Sequence, residues 1–401
     1  MKTFRLALLC LIPLAGCHSA TTKQDGLIVL SQENTKVYPK TGLFTSDLVE
    51  SVELIPLENS EQALLHSAYR MDADEGLFFI FSSPNAVTHG VTLQQIKVFD
   101  SSGKFRRNIG VFGRGPREYT SISKWTLDKN KKQVLIYDGS HIITYGYDGA
   151  FIERIEARPL MPVYSMTVLP DGNMLALNWF RQDIRASHIL LDPDFHITDT
   201  LAYLPFSFIR EEGSTGGMLS LSSPGTISVY QDNVLFVPPL CDTVFSYRDG
   251  HIQPAYYVSL ASSKPKNFSF RSEYKLWELQ QGLRDQGFDT RKSLRYIFET
   301  DNYCIFVSDR YSLWHKQAQK GLIFGGDPDV EYLPGSLVCT DQNSLISSID
   351  ALGLVQYKEK CEEEGRSLPS QIQALFDTGF SEEDNPVLFR YRLKSKPNLI
   401  H

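Results

Sequence analysis

Along the chain, short apolar runs alternate with clusters of Asp, Asn and Gly, and the alternation keeps one form. Met71-Asp72-Ala73-Asp74-Glu75-Gly76 precedes the run Leu77 to Phe81, and Leu127-Asp128-Lys129-Asn130 precedes Val134 to Tyr137. Leu169-Pro170-Asp171-Gly172-Asn173 leads into Met174 to Leu177, and Tyr230-Gln231-Asp232-Asn233 into Val234 to Val237. Glu299-Thr300-Asp301-Asn302 precedes Tyr303 to Val307, and Cys339-Thr340-Asp341-Gln342-Asn343 precedes Ser344 to Ile349. Tight hairpins need residues that tolerate a left-handed backbone or cap the turn with a side chain, which Asp, Asn and Gly do. The runs are rich in Val, Ile, Phe and Tyr, which suit half-buried strands. A second turn follows in the clearest copies: Phe99-Asp100-Ser101-Ser102-Gly103 matches Tyr147-Asp148-Gly149, with Tyr247-Arg248-Asp249-Gly250 a looser match. Two hairpins per unit make a four-stranded sheet, and six such units predict an all-β, six-bladed β-propeller. A β-sandwich with many turns is the alternative, but it does not require a repeating two-hairpin unit.

The ends predict how the ring closes. Glu53 to Leu57 reads as a strand before the first unit and Pro386 to Leu393 as a strand after the last. Pairing them places the N-terminal strand in the last blade. Two stretches break the repeat. Between Phe268 and Gly287, Leu276, Leu279 and Leu283 fall at helical spacing beside Tyr274 and Trp277, and Leu354 to Glu364 and Leu368 to Phe376 also read as helices. The propeller is therefore expected over residues 45–394, with helical insertions near 268–287 and 352–378 and a short tail at 395–401.

The N-terminus changes the picture of where this domain sits. Lys2 and Arg5 precede the apolar stretch Leu6 to Ala15, too short to span a bilayer as a helix, so residues 1–16 read as a signal peptide. Leu14-Ala15-Gly16-Cys17 resembles the lipobox of bacterial lipoproteins, which implies cleavage before Cys17 and a lipid on its sulfur. Residues 17–44 are then a lipidated tether and arm, and the expected location is the cell envelope, anchored in the outer membrane. No acidic run follows Cys17, which slightly favours a periplasm-facing protein over a cell-surface one. The net charge of −7, from 40 Lys+Arg against 47 Asp+Glu and without a basic tract, argues against nucleic acid as a partner. Cys241, Cys304, Cys339 and Cys361 remain in the mature chain; three full pairings are open to them, and buried unpaired thiols are the simpler reading.

Gly110-Val111-Phe112-Gly113-Arg114-Gly115-Pro116-Arg117-Glu118-Tyr119, followed by Leu127-Asp128, Ile136-Tyr137-Asp138 and Tyr147-Asp148-Gly149, resembles the NHL-type propeller repeat. With the opening Val52-Glu53-Leu54-Ile55-Pro56-Leu57-Glu58 and the close Glu383-Asp384-Asn385-Pro386-Val387-Leu388, the chain resembles the six-bladed propeller lipoproteins of Bacteroidetes over roughly residues 45 to 394. That family implies the fold and carries no agreed activity. Arg117 departs from it, standing where the family commonly has Gly.

No GxSxG, HExxH, Walker A or EF-hand pattern is present, and the nine His include no ligand pair. The candidate ligand-binding residues are Arg114, Arg117, Glu118 and Tyr119 in the Gly-rich loop, with Trp179 and Arg181 in the third unit. The loop also has a structural reading, in which Tyr119 packs between blades and Glu118 bonds the backbone. Asp183, Arg185 and the loop Gly213 to Gly217 are weaker candidates, and Trp277 and Trp314 read as stacking surfaces or as core. Three roles remain open: a binding or scaffolding module for an envelope glycan, peptide or protein; a lactonase- or lyase-like enzyme holding one divalent metal in the central channel; and a structural part of an outer-membrane complex docked through its helices.

Overall fold

The computed structural model describes residues 27–30, 35–38, 47–65, 68, 70–83, 94–157, 163–178, 186–203, 207–208, 227–238, 241–248, 250–258, 271–285, 287, 293–308, 310–324 and 336–396. They form six antiparallel blades of four strands each, two of which gain a fifth strand. Blade 1 runs Met71–Asp74, Leu77–Ser82, Gln95–Phe99 and Phe105–Ile109 from the axis outward. Blade 2 is Lys124–Asp128, Gln133–Tyr137, His141–Gly146 and Phe151–Glu156. Blade 3 is Val163–Val168, Met174–Asn178, Ala186–Leu191 and Ile197–Tyr203. Blade 4 is Ile227–Tyr230, Asn233–Phe236, Thr243–Arg248 and His251–Val258, and blade 5 is Tyr296–Glu299, Tyr303–Val307, Tyr311–His315 and Lys320–Phe324. Blade 6 takes Ser336–Asp341, Ser344–Ile349 and Val387–Leu393 from the C-terminus and its outermost strand, Val49–Pro56, from the N-terminus.

Each blade is apolar on both faces because each face meets a neighbour. Alternate side chains of a strand point to opposite faces. In Leu77–Ser82, Phe78 and Ile80 join Ile55, Ile346 and Leu388 between blades 6 and 1, while Phe79 and Phe81 join Ile109, Ile136 and Tyr145 between blades 1 and 2. In blade 5, Cys304 and Phe306 face blade 4 and Tyr303 and Ile305 face blade 6. This double burial explains why the middle strands read as unbroken apolar runs. It also accounts for the cysteines: all four are buried and none forms a disulfide.

The ring is clasped where its ends meet. The buried Asn385 accepts from the Leu65 amide through Oδ1 at 2.7 Å and donates through Nδ2 to the Glu58 and Ala63 carbonyls at 2.5 and 3.1 Å. The arm before the closing strand is also built in. Ile28–Leu30 adds in parallel to the outer strand of blade 4, and Thr35–Tyr38 to that of blade 5. Three N-terminal strands therefore cover the outer edges of three successive blades, which shields those edges from other chains. The sequence reading took this stretch for tether and arm and anticipated no strands in it.

Among the described residues three helices leave the repeat: α1 at Leu276–Asp285, α2 at Ala351–Glu363 and α3 at Ser370–Asp377. Leu354 and Cys361 of α2 and Ile372 of α3 pack on the core between blades 5 and 6. At the hairpins, the positive φ is carried by Glu75, Gln231 and Gln342 as well as by glycines. The aspartates act instead through their side chains: Asp128 Oδ1 accepts from the Lys131 amide at 2.9 Å and Asp171 Oδ1 from the Asn173 amide at 3.0 Å.

Gly103 and Gly172 separate backbone strain from ring closure. Both have positive φ, 82° and 85°. A Cβ on Gly172 meets nothing, whereas one on Gly103 would lie 2.2 Å from the Pro56 carbonyl oxygen of the closing strand. Gly172→Ala is expected to cost about 1 kcal/mol through its φ alone. Gly103→Ala should cost at least twice as much by urea unfolding; equal losses would mean that the closing strand moves aside freely.

Candidate functional site

The Gly113-to-Tyr119 loop is a structural joint between blades 1 and 2. Glu118 Oε2 accepts from the Gly115 amide at 2.7 Å, and a Cβ on Gly113 or Gly115 would lie 2.0 or 2.9 Å from that carboxylate. The glycines thus make room for a carboxylate that holds its own loop. Tyr119 is buried in the core between the two blades and donates to the Gln94 carbonyl at 3.0 Å. The Arg117 carbonyl accepts from Tyr145 Oη at 2.8 Å, and its guanidinium lies 5.8 Å from the Phe151 ring. Arg117 is not at positive φ, so the departure from Gly costs no backbone strain. Arg114 is exposed on the loop. Trp179, Arg181, Asp183, Arg185, the 213–217 loop and Cys17 lie outside the described residues. Trp314 is buried between blades 4 and 5.

The residues that converge on a cavity are others. All six innermost strands line a central channel of about 760 Å³. Its two mouths differ because of chain direction. First and third strands of a blade run one way and second and fourth the other. The hairpins from first to second strand, such as Asp74 to Leu77 and Asp341 to Ser344, therefore close one face tightly. The connections from second to third strand and from blade to blade join strand ends at the opposite face. They include the long ones, Val258 to Tyr296 with α1 and Ile349 to Val387 with α2 and α3.

Arg70, Lys124 and Tyr296 line the channel at that second mouth, at the N-terminal ends of the first strands of blades 1, 2 and 5. Burial and the charge of Arg70 push the Lys124 pKa down to about 8. Two cations from adjacent blades thus face the same space. Tyr296, 36% exposed, stands three blades round from Lys124, on the far side of the ring, its ring nearly parallel to that of Phe298 at 6.0 Å. Deeper, Asp72 of blade 1 pairs with Lys129 of blade 2 at 2.9 Å. Burial works against the Lys129 charge, but Asp72 outweighs it and the pKa is raised. Ser165, Thr167, Ser228 and Thr340 also line the wall; Ser165 Oγ is itself buried and has no hydrogen-bond partner within the protein. Burial pushes the Cys339 thiol in the wall well above its ordinary range, so it is no thiolate nucleophile.

This donor set fits an anion better than a divalent cation. Of the channel carboxylates, Asp72 is spent on Lys129, Asp128 caps its own hairpin, and Asp232 lies exposed at the first hairpin turn of blade 4, away from the other two. Among the described residues, the carboxylates and histidine spaced to share an ion are Asp192, Asp194 and His196, on the outer hairpin of blade 3 and not in the channel. Linear motifs miss the channel because each blade contributes one short innermost strand, about a blade's length in sequence from the next.

Residues 16–392 match the model of a domain of unknown function, DUF4934. The chain belongs to that family. The DUF4934 propeller is similar to the crystal structure of a Bacteroides fragilis protein classed as exported, at 18% identity and a TM-score of 0.67, over 92% of this chain and 99% of that one. A duf4221-family protein of Bacteroides vulgatus matches at 13% identity and TM-score 0.49, over 87% of this chain and 98% of that one. Virginiamycin B lyase of Staphylococcus aureus matches at 11% and TM-score 0.38, over 74% and 81%, too distant to bear on chemistry. A search of curated proteins gives no match.

Two substitutions separate joint from channel. Glu118→Ala leaves a loop amide without its acceptor and should lower stability by about 1–2 kcal/mol. Lys124→Gln keeps a hydrogen-bonding group and removes the charge. The folded pKa of about 8 lies below the unfolded 10.5, so the unfolded state binds more protons between them. Wild-type stability then rises with pH across that window, and the penalty is complete below it. Lys124→Gln is therefore expected to raise the melting temperature at neutral pH, with the gain fading as the pH rises from about 8 to 10.5 and absent above it. A gain independent of pH would show that the charge is not its source.

Proposed function

We propose that this DUF4934 propeller is a binding module of the bacterial cell envelope, anchored by lipid on Cys17, that receives its ligand at the channel mouth bearing Arg70, Lys124 and Tyr296. The observation that carries this reading is the mouth itself. It is the end of a cavity walled by all six blades, it holds Arg70 beside Lys124, whose charge is disfavoured by burial and by Arg70, and it lies on the face where the long connections join. Charge kept at a destabilising position is what binding requires and folding does not. The lipobox-like Leu14-Ala15-Gly16-Cys17 and the exported class of the Bacteroides fragilis neighbour support the envelope location. Among the described residues no helix is long and apolar enough to cross a membrane, so attachment in this proposal rests on the lipid. The ligand reaches the channel from the periplasmic side.

The test uses the soluble chain beginning at residue 18 in a thermal-shift panel of divalent metals with and without chelator, neutral and acidic glycans, and short peptides. A ligand that binds only the folded state stabilises it by about 2.7 kcal/mol at a hundredfold excess over its dissociation constant. A glycan or peptide shift that survives chelator, and is lost in Lys124→Gln, is the expected result. A chelator-sensitive metal shift would replace this reading with the metal-dependent lactonase or lyase. In the full chain, Cys17→Ala should move the protein from the membrane to the soluble fraction. Retention of the variant in the membrane would refute the lipid anchor.

A further inference from the structure

We infer that the ligand of the central channel is an extended peptide with apolar side chains, its backbone running along the bare inner strand edges and its side chains set against the half-buried apolar residues of the wall. This rests on the binding role proposed above and names its ligand class.

Two features of the wall combine. The first is its apolar side chains. Trp125 of blade 2, Val168 of blade 3, Ile227 and Val229 of blade 4 and Val338 of blade 6 line the channel and are half-buried, and Tyr296 of blade 5 lines it and is exposed. Trp125, Val168, Ile227, Val229 and Val338 also pack against the cores between blades, so those cores open onto the channel at the axis. A single half-buried valine on a protein surface signifies nothing. Such groups from five blades, gathered on one concavity, form the lining of a ligand site. The second feature is backbone. Each innermost strand lies at the end of its sheet and is hydrogen-bonded to a neighbouring strand on one side only. Among the described residues no backbone hydrogen bond joins the inner strands of different blades. The inward row of N–H and C=O groups on each of these strands is therefore left to whatever fills the channel.

These two features decide between ligand classes. A sugar would pair with the strand edges but would set hydroxyls against Trp125, Ile227 and Val229. A hydrocarbon chain would cover those side chains and leave the backbone groups dry and unpaired, which is costly. A peptide brings both parts, a row of donors and acceptors along its backbone and apolar side chains between them. The size agrees. The longest inner strands, Val163–Val168 and Ser336–Asp341, have six residues, which is about 20 Å at roughly 3.3 Å per residue. The inner strands of blades 1, 4 and 5 have four. An extended segment of about four to six residues spans that length. The cavity of about 760 Å³ also falls in the range of about 300–1,000 Å³ typical of small-ligand sites.

Titration calorimetry on the soluble chain provides the test. Three pentapeptides share an acetylated N-terminus and a free C-terminal carboxylate, and so carry the same charge: acetyl-Gly-Leu-Phe-Val-Gly, the polar acetyl-Gly-Ser-Asn-Thr-Gly, and the first peptide with its three central amides N-methylated. Neutral galactotriose is the fourth probe. The apolar peptide should bind at least about tenfold more tightly than the polar one. It should also bind at least about tenfold more tightly than its N-methylated form, which has lost the donors that meet the strand edges. Val229→Thr combined with Val338→Thr keeps shape and strand propensity but puts hydroxyls on the wall, and should weaken binding of the apolar peptide by about fivefold or more. Ile152→Thr, on the outer strand of blade 2 and 45% exposed, should leave that binding unchanged, and cooperative melting of both variants checks their folding. Polar peptide bound as tightly as the apolar one, indifference to N-methylation, tighter binding of galactotriose, an equal loss in Ile152→Thr and in the paired variant, indifference to the paired variant, or no peptide binding would each overturn the inference. Binding of the polar peptide or of galactotriose would leave the binding role intact. A chelator-sensitive metal shift would remove that role along with the inference.

Discussion

Every blade depends on having a neighbour on both faces. A sheet such as Leu77–Ser82 with its partners carries phenylalanines on each side, so a ring left open would expose two apolar sheet faces at once. Closure by Val49–Pro56 against Val387–Leu393 is thus a condition for all six cores and not an ornament of the last one. The investment at that junction is consistent with this. Asn385 satisfies three backbone groups from the other end of the chain, Gly103 yields space to Pro56, and Arg390 reaches Glu53 at 2.8 Å and Asp341 at 3.3 Å. The arm that brings the closing strand into place first pairs with blades 4 and 5, so the segment leading from the proposed lipid anchor is itself part of the ring.

Charge is distributed differently at the two ends of the channel. Towards the hairpin face, opposite charges and amides meet across blades. Lys132 pairs with Asp74 at 2.9 Å, both oxygens of Glu299 accept from Asn233, and Asp301 accepts from Tyr230 at 2.6 Å. These contacts staple neighbouring blades where their first strands end. At the other mouth Arg70 and Lys124 stand together, and burial and the charge of Arg70 depress the Lys124 pKa. A ring held shut by its cores and its hairpin face can tolerate such a mouth, and the face that tolerates it also carries the long connections and the helices.

Much of the architecture was legible because a propeller writes its period into the chain. Turn chemistry at Asp128-Lys129-Asn130 or Asp171-Gly172-Asn173, followed by a doubly buried run, is a local signal that needs no knowledge of neighbours. The strand at the N-terminus and the one after Pro386 announced closure by being left over from the repeat. The Gly113-to-Tyr119 loop reads two ways in sequence, as a ligand loop and as a joint between blades, and the contacts of Glu118 with Gly115 and of Tyr119 with the core supply the joint. Ile28–Leu30 and Thr35–Tyr38 were invisible because short polar-flanked strands become strands only when an edge is present to receive them.

By itself, then, the sequence determined the repeat, the number of blades, the closing strand and the signal-like N-terminus, all carried by residues close together in the chain. Tertiary structure alone decided which residues share the channel mouth. Arg70, Lys124 and Tyr296 are separated by one and by three blades, and nothing local distinguishes them from other strand-initiating residues. They become neighbours across a cavity only because six apolar interfaces close the ring and bring the start of each inner strand to the same axis.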